Sequence, residues 1–335
     1  MIRNLFSSII QGTKSIFSGF KKFPTFIKNQ VHRLTEEFGN LRYRLNNMAS
    51  SNMELGIYHL YNRNFRDAIF RFKLVDRFLD LDNKVANYWL GWVYFLKGSH
   101  KKSIMHLTKA AEEDQVNLLA FVKSIDSAIS IPDEIHEIHR DIDAELFIDK
   151  FVSKTENLPK HLVLALIESI TSLPEKYSIL ELGGNIGLLG YEINKRMQES
   201  YTITCVEISN IMIKLQPTCF PEQKLYDEVL HTPVNKFLKQ NNRQYDVICS
   251  LDGFAFDANL KNIFDNVFSM LKPGGYFAFT VHSSANNTLS SKFLEFAHNK
   301  QQVMGQLDKT GFNILSSKEI PLEIKNNYSI FVCTK

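Results

Sequence analysis

Residues 178–187, Ser-Ile-Leu-Glu-Leu-Gly-Gly-Asn-Ile-Gly, pass from an apolar run through Glu181 into a glycine-rich turn, and residues 188–197 continue at helical spacing. A short buried strand that enters such a turn at a helix N-terminus lets a ligand approach the backbone and the free N–H groups of the first helical turn. Glu207 stands 24 residues beyond Gly183, at the end of a second apolar run. A carboxylate there can accept hydrogen bonds from the paired hydroxyls of a ribose. The pattern is that of a nucleotide-type cofactor site.

Outward from this turn the chain alternates. Helical spacing over 161–173 precedes the first strand, 179–182; strands over 202–208, 247–251 and 276–281 follow with helices between them, the last at 260–271. Regular alternation predicts a mostly parallel sheet covered by helices on both faces. After a helix near 302–309, residues 311–322 and 328–334 read as two consecutive strands joined through Asn326-Asn327, an antiparallel closing hairpin. This α/β unit spans 146–335.

With 335 residues and 44% hydrophobic content, the chain has length for about two domains, each with its own core. Eight Lys and Arg against Glu36 and Glu37 make residues 1–50 basic, so the net charge of +3 conceals a mildly acidic body. That balance argues against nucleic acid as a partner. Cys205, Cys219, Cys249 and Cys333 have no metal or redox spacing, which fits a reducing cytoplasm, and no apolar run approaches the ~18 residues of a membrane span.

Residues 1–50 open with Ile2, Leu5, Phe6, Ile9, Ile10, Ile16, Phe17 and Phe20 at helical spacing before Lys21, Lys22 and Pro24, a basic amphipathic segment suited to peripheral membrane contact through residues 1–22 or to docking on a neighbouring domain. A second helix is expected over 27–45. Residues 51–130 hold a repeat: Leu55-Gly56, Ala68-Ile69, Phe72 and Val75 recur 35 residues later as Leu90-Gly91, Ser103-Ile104, Leu107 and Ala110. Each unit reads as a helical hairpin and resembles the tetratricopeptide repeat, a fold that recruits protein partners. Two units need flanking helices as caps, for which 27–48 and 117–129 are placed. Pro132 and the charged run 133–143 read as a linker, 131–145, with His136 and His139 on a solvated helix and no metal assigned.

Glu-Leu-Gly-Gly-Asn-Ile-Gly at 181–187, Val-Glu-Ile-Ser at 206–209, Tyr-Asp-Val-Ile-Cys-Ser-Leu-Asp at 245–252 and Leu-Lys-Pro-Gly-Gly at 271–275 resemble, in order and spacing, the successive motifs of class I S-adenosylmethionine-dependent methyltransferases. The resemblance covers 145–335. With the repeats in front, the whole chain resembles the bacterial predicted methyltransferases that carry tetratricopeptide repeats. It implies a Rossmann-like domain with a seven-stranded sheet, S-adenosyl-L-methionine as cofactor, and an unidentified small-molecule or protein methyl acceptor. The implied cofactor-binding residues are Glu181, Gly183, Gly184, Asn185, Gly187, Glu207, Ile208, Met212 and Asp252.

Asp252 ends the fourth strand beside the expected methyl group, and Gly253, Phe254 and Phe256 lead into the acceptor pocket. His282, and His298 in Glu-Phe-Ala-His, are candidate bases; the latter is similar to a Tyr-Ala-His-type element of the repeat-bearing proteins. Two positions depart from the family pattern. Asn185 replaces the usual middle glycine, which Asn tolerates at positive φ, and Pro233 replaces the acid expected near adenine, with Asn235 as a substitute. These departures motivate an alternative, a non-catalytic scaffold with a degenerate cofactor fold. A dinucleotide-dependent oxidoreductase is a third reading, disfavoured by Leu-Lys-Pro-Gly-Gly and the closing hairpin.

Overall fold

The computed structural model describes residues 47–155, 157–197, 200–290, 294–321 and 327–335. Strands β1 (Tyr177–Leu182), β2 (Tyr201–Glu207), β3 (Glu228–His231), β4 (Tyr245–Ser250) and β5 (Leu271–Ser283) run parallel. A small hairpin, β6 (Thr288–Ser290) with β7 (Glu295–Ala297), stands outside the main sheet. β8 (Asn313–Pro321) and β9 (Asn327–Thr334) close the sheet, with β9 antiparallel to β5, in the order β3-β2-β1-β4-β5-β9-β8. The strand order reverses at β1, so the loops after β1 and β4 diverge at the C-terminal edge of the sheet. Ligands of open α/β sheets bind at such a switch point.

The strands form where apolar residues run continuously, because a parallel sheet covered on both faces has no solvated side. In β4, Tyr245–Ser250 is buried at every residue. The Lys-Pro-Gly-Gly turn, expected to precede the fifth strand, is drawn into β5, where an added Cβ on Gly275 would lie 2.9 Å from the Asp246 carbonyl oxygen.

In front of the sheet lie α1 (47–61), α2 (Phe65–Leu74), α3 (Lys84–Leu96), α4 (His100–Ala110), α5 (Leu118–Lys123) and α6 (Asp133–Asp143). Gly56 and Gly91, the repeated glycines, each sit where a helix touches its partner: an added Cβ would lie 2.4 Å from the Phe72 ring and 2.4 Å from Leu107. Ser103 Oγ donates to the Gly91 carbonyl at 2.8 Å, tying α4 to α3. Gly91→Ala forces those helices apart and is expected to lower stability by about 1–3 kcal/mol in urea unfolding.

The helical region and one face of the sheet share one hydrophobic core, which runs from Leu60, Phe72 and Trp92 through Ile131 and Ile135 to Phe254, Phe277 and Phe331. The segment read as a linker is therefore part of this body: α6 buries Ile135, His139, Arg140 and Ile142. Two of its acids pair across the fold. Asp143 binds Arg63 and lies 3.2 Å from His139 Nε2, and Asp141 accepts from Ser209 Oγ and from the Ile211 amide. Most of the expected N-terminal amphipathic segment and the helix over 27–45 lie outside the described residues.

The remaining helices are α7 (Leu158–Ser169), α8 (Leu188–Arg196), α9 (Asn210–Cys219), α10 (Val234–Gln240), α11 (Lys261–Met270) and α12 (Lys300–Thr310). Side-chain caps start several of them: Asn157 accepts from Lys160 N, Ser209 from Met212 N and Asn299 from Gln302 N. No described helix is long and apolar enough to cross a membrane.

Candidate active site at the β1 and β4 switch point

The turn after β1 places Gly183, Asn185 and Gly187 at φ 76°, 53° and 91°, all left-handed. At Gly183 an added Cβ would lie 2.8 Å from Gly253 Cα, so the β1 and β4 turns abut and only glycine fits. Asn185 holds the turn instead of breaking it. Its amide donates to Glu207 Oε2 at 2.7 Å, its Nδ2 donates to the carbonyls of Gly183 at 2.6 Å and Leu251 at 3.1 Å, and its carbonyl accepts from Gln216 Nε2 at 2.8 Å. Asn185 Oδ1 remains buried without a partner among the described residues.

Glu207, 1% exposed at the end of β2, also accepts from the Ser209 amide at 2.8 Å. Each carboxylate oxygen thus takes one backbone N–H, and a carboxylate has about four acceptor sites. One site on each oxygen is left for a further donor.

A cavity of ≈ 20 Å³, room for about one water molecule, lies between these turns and α6. Gly183, Glu207, Ile208, Pro233, Asp252 and Gly253 line it from the sheet; Asp133, His136 and Arg140 close it from α6. Arg140 is 6% exposed, stacks its guanidinium 4.5 Å over Phe147, and makes no hydrogen bond or ion pair among the described residues. His136 is held neutral, its pKa pushed down to about 3 by burial and then by Arg140.

Of the residues singled out from sequence, Gly183, Glu207, Ile208 and Asp252 converge on this cavity, with Asn185 in the same turn. Glu181 does not. Strand alternation sends its side chain into the core, where it accepts from Tyr226 Oη at 3.0 Å, and burial holds the carboxyl well above its ordinary range. Gly184 packs on Cys205, Gly187 caps α8, and Met212 is fully buried; none of the three lines the cavity. Sequence reading missed Arg140, His136 and Lys150, which lie in or beside the segment taken for a linker.

Asp252 adopts φ 56° and its amide donates to Thr280 Oγ1 at 2.9 Å. Its Oδ2 accepts from Lys150 Nζ at 3.2 Å, and its Oδ1 is buried and unpartnered among the described residues. Lys150 lies on a single π-helical turn, Asp149–Ser153, and also binds Glu295 on β7. His282, at the end of β5, has both ring nitrogens unpartnered and a pKa lowered chiefly by burial. His298 is 1% exposed; its Nε2 donates to the Asp257 carbonyl at 2.8 Å and its backbone N–H to the His282 carbonyl at 2.7 Å. It ties β7 to the loop after β4 and lies outside the cavity lining.

Burial lowers the pKa of His298, and of His106 in α4, to about 4. The folded chain therefore refuses protons that the unfolded chain accepts below its ordinary histidine pKa. Stability is expected to fall as pH drops from about 6.5 to about 4, by roughly 1.4 kcal/mol per pH unit for each histidine. Urea unfolding across that range checks this, and a His106→Asn, His298→Asn double variant is expected to have the shallower slope.

The donor set can be tested against the cofactor that the motifs imply. S-adenosylmethionine presents a ribose diol, an ammonium and a carboxylate. The free acceptor sites of Glu207, the orphaned Asn185 Oδ1 and Asp252 Oδ1, and the unpaired Arg140 guanidinium match those groups in sign and number. The chemistry fits, while the space requires α6 to move.

A family model described as "Methyltransferase domain" matches residues 151–320. Among solved structures, the magnesium protoporphyrin IX methyltransferase of Synechocystis PCC 6803 with bound SAH aligns at 14% identity and TM-score 0.46, covering 61% of this chain and 100% of that one. The cyclopropane synthase MmaA2 of Mycobacterium tuberculosis aligns at 14% identity and TM-score 0.44, covering 54% and 85%. No curated protein matches the chain. With the family model spanning half of its length and the glycine turn, the strand-end acid and the closing antiparallel strand in place, the chain belongs to the methyltransferase-domain family and uses S-adenosylmethionine as its cofactor.

Proposed function

We propose that this chain is an active methyltransferase acting on a small molecule or a protein side chain, and that its helical hairpins are tetratricopeptide-like repeats that recruit the partner or substrate. The observation that carries the reading is Arg140. A buried guanidinium without an anion is costly unless a ligand supplies one, and this one faces the same cavity as Glu207 and Asp252.

In this reading Glu207 accepts both ribose hydroxyls, Asn185 Oδ1 and Asp252 Oδ1 accept from the ammonium, Arg140 donates to the carboxylate, and Ile208 packs against adenine. Bound there, the cofactor supplies a methyl group already activated by sulfonium. The chain's part is to align the acceptor, exclude water and take up a proton. Asp252 stands between cofactor and acceptor, with His282 beside it as base. His298 serves as a positioning residue, since its Nε2 is committed to Asp257.

α6 acts as a lid. The bonds from Asp141 to Ser209 and from Asp143 to Arg63 hold it over the cavity, so cofactor entry requires their release. The repeat reading is supported by the paired glycine contacts at Gly56 and Gly91. The basic segment 1–22 is proposed to touch an anionic membrane surface from the cytoplasmic side, on the strength of its charge.

A second reading, a scaffold with a decayed cofactor fold, draws on the ≈ 20 Å³ cavity. Labelled S-adenosylmethionine incubated with the full chain and cell extract separates the two. Label in a discrete acceptor supports the enzyme; an extract labelled no more than with heat-killed protein defeats it. Deleting the helices is not a usable control, because they share the sheet's core.

A further inference from the structure

Beyond Asp252, away from Glu207, the C-terminal edges of β4 and β5 and the start of β9 enclose a second polar group. Lys150 Nζ bridges Asp252 and Glu295. Tyr328 and His282 are register partners across β5 and β9, with ring centroids 5.4 Å apart. Tyr328 is 1% exposed with its hydroxyl beside Asp252, burial first and that carboxylate second keeping the phenol protonated, and both His282 nitrogens are buried without partners among the described residues.

Folded interiors leave few polar atoms unsatisfied, and here both nitrogens of one buried imidazole go unpartnered beside an ammonium held by two carboxylates. The two carboxylates are fixed on the sheet and on β7. The cation arrives from a π-helical turn, on a side chain that remains 30% exposed. Withdrawing Lys150 would leave two facing carboxylates with a neutral imidazole and a phenol, an arrangement that repels anions and demands a cation.

We propose that this cluster marks the acceptor subsite, that the acceptor is a protonated aliphatic amine methylated at nitrogen, and that Lys150 is its internal stand-in, displaced when the amine enters. The proposal rests on the methyltransferase reading above. An ammonium has no lone pair, so one proton leaves first; the freed nitrogen then bonds the methyl carbon as the carbon–sulfur bond breaks with its electron pair left on sulfur, and the acceptor's charge is unchanged. His282 takes the proton on a free ring nitrogen while Asp252 and Glu295 hold the remaining positive charge.

The test uses the full chain without cofactor and n-butylamine as probe, with butyrate and n-butanol as controls. Lys150→Ala is expected to lower Tm by about 5 °C or more. Millimolar butylammonium should restore it saturably, the controls should not, and adding Glu295→Gln should abolish the rescue. Should Lys150→Ala fail to fold, Lys150→Met, which keeps most of the stem, serves in the same comparison. Indifference to butylammonium, equal rescue by butyrate, or rescue that persists in the Glu295→Gln double variant overturns the amine site. Cofactor binding without rescue removes the amine proposal alone; rescue without cofactor binding leaves a cation site and removes the transfer.

Discussion

Glu207→Ala is expected to weaken S-adenosylhomocysteine binding by about 100-fold or more. Two hydrogen bonds from a diol to a charged acceptor are worth roughly 1.5–3 kcal/mol each, and about 2.7 kcal/mol is already 100-fold. The same change orphans the amides of Asn185 and Ser209, which now end on the two carboxylate oxygens, so the glycine turn should loosen as well. Calorimetry measures the affinity and urea unfolding the cost of the orphaned amides. Glu207→Gln separates the two effects, because a carboxamide presents only one acceptor oxygen to the two amides and the diol. An affinity unchanged in both variants removes Glu207 from the cofactor site.

Arg140→Met is expected to weaken S-adenosylhomocysteine by about 30-fold and to leave 5′-methylthioadenosine, which lacks the amino-acid end, within about twofold of wild type. A charge-assisted bond from a buried guanidinium to a carboxylate contributes roughly 1.5–3 kcal/mol. Methionine keeps an apolar stem against Phe147, so the stacking contact is largely retained. If Arg140 only packs the lid, both ligands lose equally, and calorimetry with the pair reads that difference directly.

Why Arg140 had to be seen in three dimensions is instructive. The run 133–143 is so charged that it reads as solvated, yet Ile135, Ile138 and Ile142 sit at spacings of three and four, the signature of a helix with one apolar stripe. Asp143 and Asp141 are spent on Arg63, Ser209 and Ile211, partners distant in sequence. The parallel strands, by contrast, announce themselves as uninterrupted apolar runs, and the β1 turn is local enough to be read from Gly183 to Gly187. The β6 and β7 hairpin has only three residues per strand, too few for any alternation to register, so the position of Glu295 beside Lys150 had no signal. Glu181 faces the core and does not line the cavity, and an acid beside a glycine turn looks identical in sequence in either orientation. The pleat decides, and Tyr226, 45 residues away, receives it.

Asn185 sharpens the same point. At this position glycine would be the ordinary choice, and asparagine is tolerated at the positive φ of 53°. In the folded chain it turns back to bridge Gly183 and Leu251, leaving Oδ1 as a buried acceptor in the same turn as Gly183, which lines the cavity. The substitution converts a flexible turn into a braced one.

The most direct measurement is a calorimetric titration of the full chain with S-adenosylhomocysteine, paired with hydrogen exchange over residues 133–143 and 183–187. Micromolar binding, with 183–187 gaining protection against the ligand and 133–143 losing it as α6 gives up its bonds to Ser209 and Arg63, is the expected result. No heat of binding at millimolar ligand, with exchange in both segments unchanged, would contradict it.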